Sequence, residues 1–115
     1  MPLLKLETPV VLTDEKQKTL LAGLSRIVAE TTGKPEGYVM ITISHAAISM
    51  SGKPGNAAFV DVRGIGGLNG AVNRQLSQKV SQFLNQSLGT PTDRVYLNFT
   101  EIEGHNWGWN GNTFS

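Results

Sequence analysis

The sequence predicts an α+β fold made of two duplicated β-α-β units, a four-stranded mixed sheet carrying both helices on one face. Two observations predict it. The first is an internal repeat: Gly33-Lys34-Pro35-Glu36-Gly37-Tyr38-Val39 recurs as Gly89-Thr90-Pro91-Thr92-Asp93-Arg94-Val95, an offset of 56 positions. The same offset pairs Leu4 with Val60, Leu6 with Val62, Ile41 with Leu97 and Ile43 with Phe99. It also carries Leu20, Leu24, Ile27 and Val28 onto Leu76, Val80, Phe83 and Leu84, so the register survives three elements without a gap. The second observation is the punctuation within each half, which reads strand, helix, strand.

Leu3 to Glu7 is apolar and short, as a mostly buried strand is. Thr13-Asp14-Glu15 supplies a helix cap and an acidic first turn, both suited to the exposed N–H groups of a helix start. Leu20, Leu21, Leu24, Ile27 and Val28 follow at helical spacing. Gly33 ends that helix by accepting a left-handed backbone, and Pro35 prevents its resumption. Val39 to Ile43 is then a strand rich in β-branched residues. The second half repeats the plan with a strand over Ala58 to Val62, a helix near Leu68 to Leu88 and a strand over Arg94 to Thr100. A chain of 115 residues makes one domain, 1–115, with pseudo-repeats over about 2–55 and 58–111. Because the strands carry apolar residues at both parities, the sheet face away from the helices is expected to be apolar and covered in a homo-oligomer.

Composition narrows the function. Ten Lys/Arg against nine Asp/Glu leave a net charge of +1 with no basic run, so neither a nucleic acid nor a membrane surface is implied as a partner. The absence of cysteine excludes disulfides, thiolate chemistry and Cys-ligated metals. His45 and His105 lie too far apart for a local metal motif, and no metal site is expected. Without a signal-like or membrane-spanning run the expected compartment is the cytoplasm, with export lacking a signal peptide as the second option.

Pro2 is the residue with the most distinctive chemistry. Loss of Met1 would make it the terminus, and no other amino acid offers a secondary amine there. Burial disfavours the ammonium form, and a neutral, fixed amine is a general base. By position alone Pro2 equally serves to permit loss of Met1 and to begin an edge strand, where a missing N–H costs nothing. The loop Gly64-Ile65-Gly66-Gly67-Leu68-Asn69-Gly70 lacks the lysine and Ser/Thr of a phosphate loop. It reads either as a tight strand-to-helix turn or as a place where backbone N–H groups approach a ligand. The tail from His105 to Phe114 holds both tryptophans and a phenylalanine among Gly and Asn. These rings are suited to packing on another subunit or to lining a shallow pocket.

Taken in order, Pro2, Thr32-Gly33-Lys34-Pro35, Ile65-Gly66, Asn73-Arg74, Asp93-Arg94-Val95-Tyr96-Leu97-Asn98 and Trp107-Gly108-Trp109-Asn110 resemble the macrophage migration inhibitory factor family of the tautomerase superfamily, over essentially the whole chain. The resemblance implies a homotrimer with sites between subunits, and a keto–enol tautomerase of aryl 2-keto acids such as phenylpyruvate, with no metal or organic cofactor. It implies Pro2 as the catalytic amine and Lys34 as the carboxylate-binding cation. It further implies a backbone contact from Ile65, a contribution of Tyr96 and Asn98 from the adjacent subunit, and an aromatic wall of Trp109 and Phe114. Taken alone, Lys34 is also a helix C-terminal cation, and Tyr96 and Asn98 are also interface residues. Trp107 stands where the family commonly has an aliphatic residue, a change that bears on pocket size. Ala57-Ala58-Phe59-Val60 stands where the mammalian cytokine has Cys-x-x-Cys, so thiol–disulfide chemistry is not implied. The resemblance also leaves open a cytokine-like signalling module with a receptor protein as partner. A third alternative is another superfamily reaction, dehalogenation or decarboxylation of a 3-carbon acid. Such relatives generally use further arginines near the proline, and none of Arg26, Arg63, Arg74 and Arg94 is tied to the pocket by the sequence, which ranks it lower.

Overall fold

The repeat seen in the sequence is carried into the backbone. The computed structural model describes Met1–Ser115, and its elements are β1 (Leu3–Thr8), α1 (Asp14–Thr32), β2 (Met40–His45), a hairpin of β3 (Ser49–Met50) and β4 (Lys53–Pro54), β5 (Ala58–Gly64), α2 (Gly70–Leu88), β6 (Val95–Glu101), and a C-terminal hairpin of β7 (Gly108–Trp109) and β8 (Asn112–Thr113). Both helices begin and end 56 positions apart, and so do their caps. Thr13 accepts a hydrogen bond from the Lys16 N–H at 3.1 Å, and Asn69 accepts one from Val72 at 2.9 Å. At the other ends Gly33 and Gly89 adopt φ of 72° and 69°, a left-handed conformation that glycine takes without steric cost.

The first strand of each half starts where the pattern places it, whereas the second, β2 or β6, starts one residue later, for one reason in both halves. A 3-10 turn at Glu36–Tyr38 takes the Val39 N–H for Glu36, and the matching turn at Thr92–Arg94 takes the Arg94 N–H for Pro91. Those groups are then unavailable to the sheet ladder. The sheet order is β2-β1-β5-β6, with parallel outer pairs and an antiparallel central pair β1–β5.

One core lies between this sheet and the helices. Leu20, Leu24 and Val28 of α1 and Leu76, Val80 and Leu84 of α2 form stripes at intervals of four residues. They meet Leu4 and Leu6 of β1 and Val60 and Val62 of β5, all fully buried. Gly23 brings the helices together, because a methyl group there would overlap the Phe83 ring. Gly23→Ala should therefore lower stability by about 1–2 kcal/mol, overpacking outweighing the better helix propensity of alanine. Chemical denaturation checks this; a variant more stable than the parent would show that Phe83 moves aside freely.

The face away from the helices is less apolar than the sequence suggests. Leu3 pairs with Met40 at one end of the sheet, and Phe59 pairs with Tyr96 at the other. Between them lie Lys5, Glu7, Asp61, Arg63 and Asn98. Strict alternation explains the difference: of the apolar neighbours Leu3 and Leu4, one faces the helices and the other faces outward. The outer face thus carries two apolar patches separated by polar and charged residues.

Candidate active site at the N-terminus

The first strand fixes the chain's beginning. Pro2 is buried, and its carbonyl accepts the Met40 N–H at 3.1 Å, extending the β1–β2 ladder to the end of the chain. With Met1 present the Pro2 nitrogen is a tertiary amide, and the terminal amine belongs to Met1. Met1, Tyr38 and Phe114 together border three adjoining clefts of about 300, 630 and 220 Å³. Pro2 itself lines the last of them, directly behind Met1.

The first of these clefts is completed by Lys34, Pro35 and Ile65. Lys34 follows the left-handed Gly33, and its side chain crosses the glycine turn of the β5–α2 loop. A Cβ at Gly66 would lie 3.4 Å from Lys34 Nζ, and one at Gly67 would lie 2.9 Å from Lys34 Cε. Both glycines also have positive φ, 70° and 82°, so the turn needs them for conformation and for room. The one ion pair of the chain is Asp61–Arg63 at 3.0 Å, so the Lys34 ammonium has no carboxylate partner.

Electrostatics at the terminus follow from this placement. The terminal amine, here that of Met1, is held below the usual range of a chain terminus, first by burial and then by the Lys34 ammonium. Glu101 acts in the opposite direction. Sequence reasoning missed Glu101, whose carboxylate accepts the Gly66 N–H at 3.1 Å and the Leu68 N–H at 2.9 Å. The loop's amides are therefore partly occupied from within the chain, which limits the ligand contact expected of the glycine loop. Glu101 leaves the Ile65 N–H outside its grip.

The aromatic wall comes from the tail. Asn110 and Gly111, with φ of 52° and 76°, form the tight turn that Asn-Gly favours and close the β7–β8 hairpin. Across that hairpin Trp109 and Phe114 stack at 5.7 Å with an interplanar angle of 12°. Tyr38 meets Trp109 edge-on at 5.9 Å and is a second residue that sequence reasoning missed. Trp107 lines the cleft that contains Pro2. The structure thus brings together Pro2, Lys34, Ile65, Trp109 and Phe114 around Met1. Tyr96 and Asn98 stand apart, exposed on the outer face of β6, two strands from β1 and about 10 Å away in strand spacing.

A sequence model of the family described as macrophage migration inhibitory factor (MIF) matches residues 1–115. The chain belongs to this family, within the tautomerase superfamily. It is 36% identical to the macrophage migration inhibitory factor homolog of Trichinella spiralis over 115 residues, covering 99% of this chain and 100% of the relative. Its fold matches the crystal structure of the macrophage migration inhibitory factor-like protein of Entamoeba histolytica with a TM-score of 0.94, at 32% identity and 98% coverage of each chain. The macrophage migration inhibitory factor homologue of Prochlorococcus marinus superposes with a TM-score of 0.92 at 35% identity, covering 98% of this chain and 99% of that one.

In this MIF-family chain the repeat does not duplicate the site. Positions 56 residues beyond Met1, Pro2, Lys34 and Tyr38 hold Ala57, Ala58, Thr90 and Arg94. Ala57 and Ala58 are buried, and Thr90 is fully buried and donates to Asn56 Oδ1 at 2.7 Å. Arg94 donates to the Asn56, Met50 and Lys53 carbonyls and pins the β3–β4 hairpin. The second half uses these positions for packing. Within the motif Asn73-Arg74, Asn73 Oδ1 is buried without a hydrogen-bond partner, and nothing in the fold explains it.

Proposed function

We propose that this MIF-family chain is a keto–enol tautomerase of aryl 2-keto acids such as phenylpyruvate, with Pro2 as the general base once Met1 is removed. The observation that carries the reading is the placement of a buried Pro2 and an unpaired Lys34 on adjoining clefts. In support, the Met1 amine at this place is lowered by burial and then by Lys34. An ordinary α-amine titrates near ~7.7–8.0 and is largely protonated at neutral pH; a depressed one supplies free base there. Pro2 then takes the proton from the carbon beside the ketone and returns it to the oxygen of the resulting enolate, which gives the enol and frees the amine. Lys34 holds the substrate carboxylate and biases the amine toward its neutral form. The stack of Trp109 and Phe114, edged by Tyr38, receives the aryl group.

Proteins of this family form multimers. We place the chain in a homotrimer whose neighbour supplies Tyr96 and Asn98. Support comes from their exposure on an edge strand and from Tyr96 beside Phe59 in an outer apolar patch. The test is turnover of enol-phenylpyruvate by protein whose loss of Met1 has been verified by mass spectrometry. Catalysis above buffer is expected, and a processed protein with none rejects the reading.

A further inference from the structure

Glu101 ends β6, yet its carboxylate spans the base of a loop more than thirty residues earlier. One oxygen accepts from Gly66 at 3.1 Å and the other from Leu68 at 2.9 Å, and the adjoining Ile102 N–H donates to the Gly64 carbonyl at 2.7 Å. On the same turn the Lys34 side chain lies within contact of where Cβ atoms of Gly66 and Gly67 would stand. The loop carrying Ile65 is therefore clamped by the glutamate and covered by the lysine.

We propose that Glu101 is a positioning residue, which holds the Gly64–Leu68 loop so that Ile65 and the Lys34 ammonium bind the substrate carboxylate together. The inference rests on the tautomerase reading for its substrate. By filling the Gly66 and Leu68 N–H groups with an internal carboxylate, Glu101 prevents the loop from gripping the substrate there. The incoming anion is left to Lys34 and the flanking Ile65 N–H. Glu101 also sets the terminal amine against Lys34, with opposite sign. The charged groups bearing on that amine are Lys34, just past the end of α1, and Glu101 from β6; Tyr38 of the 3-10 turn shares the cleft with it.

The test compares Glu101→Gln, Glu101→Asp and a control, Glu103→Gln, in protein lacking Met1. Readouts are phenylpyruvate affinity and NMR titration of the Pro2 amine, neither of which requires turnover, together with the pH profile of kcat/KM. Glutamine keeps one acceptor and places an NH₂ against the second N–H, so affinity should fall about tenfold. Losing the negative charge should move the amine titration, and the acid limb of kcat/KM, to lower pH. Aspartate keeps the charge but shortens the reach, so affinity should fall with the titration little moved. Glu103→Gln should change neither. Unaltered affinity and titration in Glu101→Gln would overturn the assignment; if that variant does not fold, unaltered affinity in Glu101→Asp does so. Wild-type protein that binds phenylpyruvate without turning it over defeats the tautomerase reading and leaves affinity and titration to decide the role of Glu101.

Discussion

Protein that retains Met1, or carries one extra residue ahead of Pro2, is expected to lose about 10²–10⁴-fold in enol–keto turnover, the usual contribution of a positioned base. Two changes produce the loss together. An amide nitrogen at Pro2 is not a base, and the added residue occupies the junction of the clefts that Met1 borders here. The fold should not respond, because Pro2 is tied to β2 through its carbonyl, which the extension leaves alone. Circular dichroism and denaturation should therefore match the processed protein, and undiminished turnover in the extended chain would remove Pro2 from the mechanism. Pro2→Gly should retain part of the rate: it keeps a terminal amine but gives up the ring that fixes its direction.

The fold was legible because the repeat imposes the same capping and turn chemistry twice. Gly33 with Pro35 and Gly89 with Pro91 are strong local signals, and Leu20, Leu24 and Val28 are echoed without a shift by Leu76, Val80 and Leu84. Parts of the site were legible only by resemblance. Lys34 resembles an ordinary helix-terminal cation until the glycine turn beneath it is visible. Glu101 could not be read locally, since its partners lie 35 and 33 residues away. Tyr38 was concealed by the repeat itself, which aligns it with Arg94, a residue engaged in pinning a hairpin. A usable signal was overlooked in Asn110-Gly111, whose turn orders a tail that composition alone makes irregular. The outer sheet face failed for another reason: apolar residues counted along a strand mix its two faces, and only alternation assigns Leu4 and Leu6 to the helices and leaves Leu3, Lys5 and Glu7 outside.

Lys34→Met should raise the KM for phenylpyruvate by about 10–100-fold, the worth of one hydrogen bond to a charged group. Methionine keeps an unbranched stem over Gly66 and Gly67, so the turn is preserved and the loss reports the ammonium. A second effect has a definite sign. The lysine cation disfavours the protonated amine, so its removal raises the pKa of the terminus and moves the acid limb of kcat/KM to higher pH. Burial, the larger cause, remains, and the amine should still titrate below an exposed terminus. Glu101→Gln shifts the same limb the other way. In the double variant the two pH shifts should largely cancel while the losses of substrate affinity persist, because charge on the amine is additive in sign and carboxylate binding is not restored by either change. A Lys34→Met enzyme with its acid limb unmoved would mean that lysine and amine do not interact in the processed protein. Lys34 would then be a substrate anchor alone, and burial would have to account for the free base by itself.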